Sequence, residues 1–328
     1  MVRLLLRPLM RLSVRHGLPN ACCRHRYHRR EGPSVVWLRP LSLRVTRPTA
    51  GSISSLSSEP DHSLVDERNA PAFWRGDQKQ PRFPSPCPTP TPAAVYREMV
   101  SKEEADVIAT EILGNRMKRR RYEKGHWDSV ITGYKEVELH DIHQLLEENG
   151  SSDGGSIGDI GEHEQNESVG PEAIIARAFG RIRQHLSQRH LVDVDRSPIK
   201  WLPCHVIDLQ KKGELKAHVD SVRFSGHLVA GLSLLSPAIM RLRHPPPPDE
   251  DEGEEQETSK RDEASSPGYV DLFLPPRSLY VLSGVGRYEC SHEILPDAST
   301  FCGGTVNSSE PIVVSRDQRL SIIFRDAK

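Results

Sequence analysis

The side chains best suited to chemistry are His218-Val-Asp220, a distant His292, and the pair Arg319-x5-Arg325. Two imidazoles and one carboxylate on one face of a metal leave positions open for substrate and oxygen, an arrangement that suits non-haem iron. In an extended strand, residues two apart share a face, so His-x-Asp can present two ligands together. The pair alone is a weak signal, because composition supplies such pairs by chance. The chain holds a second one, His126-Trp-Asp128. Context separates the two. His218-Val-Asp220 begins the longest β-rich region, His292 follows at the end of a strand, and the two arginines lie on the next strand. His126-Trp-Asp128 has no such sequel and is read as surface or core packing.

This order of residues meets the needs of a 2-oxoglutarate oxygenase. Such a co-substrate chelates iron through its 1-carboxylate and keto oxygen, and its far 5-carboxylate needs a cation at some distance from the metal. The planar fork of arginine pairs bidentately with a carboxylate, which suits Arg319 to that position.

These residues need a rigid frame. After residue 199 the chain reads as eight short strands: 199–209, 214–221, 227–235, 239–244, 269–274, 278–283, 288–295 and 319–325, separated by Gly, Pro and Ser turns. Leu320, Ile322 and Phe324 alternate with Arg319, Ser321, Ile323 and Arg325, so the two arginines share a face. Helices precede the strands. Ser101 and Glu104 form a capping box ahead of Ala105, Ile108 and Ile112. Pro171 opens a second helix with the stripe Ile174, Ile175, Ala178, Ile182 and Leu186, and with Arg177, Arg181 and Arg183 outside. Residues 117–139 read as strand and turn. The expected fold is mainly β with flanking helices, a double-sheet β structure.

The net charge of -1 conceals an uneven distribution. Residues 1–58 hold eleven Arg, no Lys and one acid, Glu31. Arg3, Arg7, Arg11 and Arg15 share one helical face, with Leu5, Leu9 and Leu12 on another. This Arg-rich, acid-poor amphipathic start has the composition of a mitochondrial transit peptide. Residues 59–92, rich in proline at 81–92, read as a disordered linker. Residues 149–170 and 245–267 are acidic, low-complexity and nearly free of aromatics, and read as disordered inserts in one domain over 93–328. No run of ~20 apolar residues is present to span a membrane. Six cysteines without CxxC spacing argue against a disulfide framework or a cysteine zinc site.

The stretch from Ile199 to Arg325 resembles the AlkB-type Fe(II)/2-oxoglutarate dioxygenases. The residues that carry the resemblance are His218-Val-Asp220, GLSLLSPAIMRLRH (231–244), LPPRSLYVLSGVGRYECSHEIL (274–295) and Arg319-x5-Arg325. RRRYEKGHWD (119–128) and HVDSVRF (218–224) are similar to a mitochondrial branch of the animal members. The resemblance runs from Val95 to Lys328, excluding the inserts. It implies a double-stranded β-helix, or jelly roll. It also implies that His218, Asp220 and His292 bind Fe(2+), that Arg319 pairs with the 5-carboxylate of 2-oxoglutarate, and that Tyr280 hydrogen-bonds the co-substrate. Arg325 would lie nearer the metal-side carboxylate, and His205 would be an additional contact. The DNA-repair members carry Asn-x-Tyr where this chain has Ile207-Asp208-Leu209, so part of the usual co-substrate contact set is replaced. The implied reaction consumes O2 and 2-oxoglutarate, releases succinate and CO2, and hydroxylates a C–H bond. On an N-methyl group the carbinol would collapse to formaldehyde.

Three functions compete. The first is a dioxygenase acting on a protein or small molecule in the mitochondrial matrix; the resemblance implies fatty-acid metabolism and regulated necrosis. The second is demethylation of methylated bases in mitochondrial RNA. The third is a 2-oxoglutarate and iron sensor that acts through a binding partner. Base-acting enzymes stack the target on aromatics. Between Ser129 and Lys200, where the family's substrate lid falls, the only Phe, Tyr or Trp residues are Tyr134 and Phe179, and the acidic insert would repel phosphates. Both features argue against duplex DNA. The basic run Lys118–Arg121 keeps RNA open.

Overall fold

The structure is a computed structural model describing residues 59–70, 92–126, 129–150, 170–191, 199–223, 225–244, 268–303 and 310–328. The leader, residues 71–91 of the linker, residues 151–169 and the second acidic insert lie outside these. The described residues belong to one compact unit, Ile53–Lys328. Its strands are β1 (Val65–Asp66), β2 (Ala93–Tyr96), β3 (Ile131–Leu139), β4 (Cys204–His218), β5 (Leu228–Leu235), β6 (Ala238–Arg243), β7 (Tyr269–Leu274), β8 (Ser278–Ser283), β9 (Ser291–Ile294), β10 (Ser299–Phe301), β11 (Ile312–Val314) and β12 (Arg319–Arg325). Its helices are α1 (Lys102–Glu111), α2 (His140–Gly150), α3 (Pro171–His190) and the short α4 (Gly284–Tyr288).

β4 joins two sheets. Its first half pairs with β12 through His205 to Leu209, and its end pairs with β9 at Leu215 and His218. From the first half the order continues β12, β5, β8; from the second it continues β9, β6, β7. Every pairing is antiparallel. Two four-stranded sheets that share one long strand, with β5 and β6 and later β7 and β8 crossing from one to the other, form a jelly roll. The eight strands expected from sequence are these eight positions. The first two are fused into the continuous β4, which shifts register between Leu215 and His218. β2 extends one sheet beside β8, β1 extends the other beside β7, and β3 lies along β4.

The helices cover one sheet. Ser101 Oγ accepts from the Glu104 N–H at 3.1 Å, and the Glu104 carboxylate accepts from the Ser101 N–H at 2.9 Å, which completes the expected capping box. Pro171 sits in the first turn of α3. Ile175, Phe179, Ile182 and Leu186 of α3 and Ile108 of α1 are buried against Leu320, Ile322 and Phe324 of β12. Phe179 meets Phe324 edge to face at 5.2 Å. The alternation read in β12 thus sends one set of side chains to the helices and the other between the sheets. Arg183 departs from its expected outward position. It is buried and donates to the Leu202 carbonyl at 3.1 Å. The carbonyl, His143 and Glu147 engage both Nη groups of a cation that periodicity alone puts on the solvent side, while its buried Nε has no partner.

The linker boundary also requires correction. Residues 59–70 are not disordered linker. A turn at His62–Leu64, capped by Asp61, leads into β1, whose Val65 pairs with Leu272. Leu64, Val65 and Ala70 join the core between the sheets, so these few apolar residues bury enough surface to order a short, otherwise polar segment.

At the end of α3, Tyr96 Oη lies 2.8 Å from His190 Nε2, and His185 stands edge-on to the same tyrosine at 4.5 Å. Burial pushes His190 down to about 4, with His185 and Arg189 adding to the shift. A histidine held below its unfolded value of ~6.5 stays neutral in the fold while the unfolded chain takes up a proton. Stability is therefore complete above pH ~6.5 and falls as pH drops towards 4, by an amount on the order of 3 kcal/mol for this group. In His190→Gln the fall in melting temperature over that interval should be shallower than in the native chain. Parallel slopes would refute this.

Candidate metal and co-substrate site

His218 and His292 occupy directly paired positions on β4 and β9, so their side chains share a face. Their ring centroids are 4.3 Å apart. His218 Nδ1 lies 2.8 Å from the Lys216 carbonyl, which leaves Nε2 towards Asp220 at 3.6 Å. One ligand atom from each of His218, Asp220 and His292 lies within 4.8 Å of the others. Among the described residues this is the one group of three or more such side chains able to share an ion. Asp220 differs from expectation in one respect: β4 ends at His218, so the carboxylate comes from the turn beyond the strand. Val219 between them is exposed.

The electrostatics favour an ion with ligands of this kind. Burial pushes His292 down to about 4, so its ring is neutral at neutral pH and keeps a lone pair. Burial alone would raise Asp220, but the hydrogen bond from His218, the positive charge that the imidazoles of His292 and His218 take on in acid, and Arg287 outweigh it and hold the carboxyl below its usual range. Neutral imidazoles and an ionised carboxylate are the forms a metal requires.

A polar row crosses the inner face of the helix-covered sheet. Ile323 pairs with His205 on one side and with Gly231 on the other, and Gly231 pairs with Tyr280. Two residues back on β12, Ser321 pairs with Ile207 and Ser233. Arg319 is buried, donates from Nε to Ser233 Oγ at 3.1 Å, and has a buried Nη2 without a protein acceptor. Tyr280 is buried, and burial pushes its hydroxyl up to about 12, with Arg319, Asp220 and Arg325 all acting on it. Arg325 has an unpartnered Nε. The structure thus gathers His218, Asp220 and His292 into one cluster, and Asp220, Arg319 and Arg325 all act electrostatically on Tyr280. His205 faces the same way, but its Nε2 lies 3.0 Å from the Glu136 carboxylate on β3. Asp208, on the other face of β4, is fully buried and accepts from Tyr122 Oη and Gln318 Nε2, each at 2.8 Å. Trp127 and Asp128 of the second His-x-Asp lie outside the described residues.

Three contributors escaped the sequence reading. Ser233 orients Arg319. Gly231 makes room for Tyr280: a Cβ there would overlap the phenol ring. Arg287 reaches the Asp220 loop from α4. The first two depend on cross-strand pairing, which no local pattern records. Gly231→Ala should displace Tyr280 and weaken 2-oxoglutarate binding about tenfold or more, with an overpacking cost of ~1–3 kcal/mol in stability. Titration of 2-oxoglutarate into the variant, with a melting curve, checks both.

No protein-family model matches the chain. A mouse (Mus musculus) protein, "Alpha-ketoglutarate-dependent dioxygenase alkB homolog 7, mitochondrial", is 34% identical over 236 residues, covering 71% of this chain and 77% of that protein. This chain belongs to the AlkB family of alpha-ketoglutarate (2-oxoglutarate)-dependent dioxygenases. The protein of the same name from cattle (Bos taurus) is 33% identical over 239 residues, 71% of this chain and 78% of its own length. Among solved structures, a Pseudomonas putida prolyl-4-hydroxylase aligns over 72% of this chain and 93% of that one, with 11% identity and a TM-score of 0.40. The AlkB-family chain is accordingly an oxidoreductase of the 2-oxoglutarate-dependent dioxygenase class.

Proposed function

We propose that this chain is a mitochondrial Fe(II) enzyme that couples oxidation of 2-oxoglutarate to hydroxylation or demethylation of a protein or small-molecule substrate. The observation that carries the reading is the buried Arg319. Its guanidinium has a buried N–H without a protein acceptor, and Tyr280 feels both this arginine and Asp220 of the His218, Asp220 and His292 cluster. A desolvated cation without an acidic partner calls for an anion. In this reading His218, Asp220 and His292 hold Fe(2+), Arg319 receives the 5-carboxylate, Tyr280 donates to the co-substrate, and Arg325 faces the metal-side carboxylate. His205, engaged with Glu136, is the lesser contact. When bound, the iron and 2-oxoglutarate supply O2 activation with release of succinate and CO2. The chain supplies a fixed ligand face, a buried setting between the sheets and an anchor that orients the co-substrate.

A protein or small-molecule substrate is favoured over a flipped base by the fate of the two aromatics in the lid span. Tyr134 and Phe179 are both buried in the core and offer no stacking surface. A mitochondrial location is supported by the names of the mouse and cattle relatives and by the Arg-rich leader, and the matrix is the compartment to which such a leader would direct the chain. The test is succinate production from 2-oxoglutarate and Fe(II) by the native chain and by His218→Ala. It is paired with comparison of mitochondrial metabolites, peptides and modified nucleosides after exposure to each. No succinate above the variant's level would sink the assignment. A change confined to methylated nucleosides would replace the substrate class with RNA.

A further inference from the structure

The two histidines of the candidate metal site are fixed by strand pairing, but Asp220 is not. It lies beyond the last β4–β9 pair, in the 219–227 connection that leads to β5. A carboxylate on an unpaired turn needs another restraint if it is to stay within coordinating geometry.

That restraint comes from α4. Arg287 is 1% exposed. Its Nη1 donates to the Asp220 carbonyl at 2.9 Å, and its Nη2 donates to the Ser221 carbonyl at 3.1 Å and to Ser225 Oγ. One planar fork therefore grips the backbone of the ligand residue, its neighbour and the far side of the turn. The next residue adds to the grip, since Tyr288 Oη donates to the Gly226 carbonyl at 3.0 Å. α4 itself is held in place. Gly284 adopts a φ of 49° where the chain leaves β8, and a Cβ on Gly286 would overlap the Pro92 carbonyl. The same five-residue helix leads directly to β9 and His292. A buried guanidinium costs several kcal/mol in desolvation. Here its hydrogen bonds go to two carbonyls and a hydroxyl.

We propose that Arg287 is a positioning residue that locks the Asp220 turn to the segment carrying His292, so that the three metal ligands are pre-organised before the ion arrives. The proposal rests on the metal-site reading above. Asp220 would owe to Arg287 what His218 and His292 owe to the β4–β9 ladder. Groups that orient metal ligands from behind typically contribute 10–100-fold in metal affinity.

The experiment titrates Mn(II) into the metal-free full-length chain and follows free and bound ion by electron paramagnetic resonance. The variants are Arg287→Met, Arg287→Lys, Ser225→Ala and Asp220→Ala. Arg287→Met should bind Mn(II) about 10–100-fold more weakly and give a broadened bound-ion spectrum, while 2-oxoglutarate affinity at saturating Mn(II) stays within about twofold of native. Arg287→Lys, able to reach one carbonyl, should recover part of the loss, and Ser225→Ala should lose less than Arg287→Met. A folded Arg287→Met with native Mn(II) affinity and spectrum overturns the proposal. If Arg287→Met fails to fold, native affinity in Arg287→Lys does so instead. An equal loss of Mn(II) and 2-oxoglutarate binding would mark general loosening and also overturn it. Asp220→Ala separates the two levels: native Mn(II) affinity in that variant means that the metal-site reading itself has failed.

Discussion

His292→Ala is expected to abolish succinate formation and to weaken Mn(II) binding by more than about 100-fold. Orienting groups behind a ligand already contribute 10–100-fold, and removal of the ligand itself exceeds that. His292 is the most enclosed member of the cluster, and its low proton affinity follows first from that burial. A ring that resists protonation down to about pH 4 does not compete with a metal at neutral pH. The same enclosure limits rescue by water, because an ion in the variant would have to hydrate within a cavity built for an imidazole. His292→Gln, which keeps volume and a hydrogen-bonding oxygen, should fold as the native chain does and still lose activity. Equal Mn(II) affinity in native chain and His292→Ala would remove His292 from the ligand set.

The parts of this site that were legible in the sequence are those governed by strand period. Arg319 and Arg325 share the inner face because six residues is an even number along β12, and the apolar residues between them turn to the helices for the same reason. His218 and His292 were legible as residue types, but their pairing is a register between strands 74 residues apart in sequence, and only the fold supplies it. Asp220 was the right residue for an incomplete reason. It reaches the site from a turn, so its direction depends on Arg287 rather than on alternation. The reading failed where a few long-range contacts outweigh local composition. Residues 59–70 look like linker yet pack Leu64 and Val65 between the sheets, and Arg183 looks solvent-facing yet is buried and donates to the Leu202 carbonyl. Gly231 carries no local signature, since its importance lies in the Tyr280 ring on the neighbouring strand.

Arg319→Met should show two opposite effects. The first is a loss of co-substrate affinity. Removing one partner of a buried, hydrogen-bonded charge pair typically costs ~2–5 kcal/mol, roughly 30-fold to several thousand-fold in the 2-oxoglutarate dissociation constant. Mn(II) affinity without co-substrate should not change, because Arg319 lies on β12 and its side chain is bonded to Ser233 of β5, on neither strand that carries the histidine ligands. Arg319→Lys should fall between native and Met, since an ammonium keeps the charge but cannot match the carboxylate with a planar fork. The second effect concerns the fold. In the free chain the guanidinium is buried, pushed below its ordinary value by that burial, and bonded through Nε to Ser233 while its buried Nη2 has no partner. Such a cation destabilises the unliganded protein, so a methionine of similar length should leave its melting temperature unchanged or higher. 2-Oxoglutarate with Mn(II) should then raise the melting temperature of the native chain and do so far less in Arg319→Met. Weaker co-substrate binding together with undiminished stability identifies Arg319 as a residue kept for its ligand. A variant that loses stability and keeps its affinity for 2-oxoglutarate would show that the arginine serves the fold.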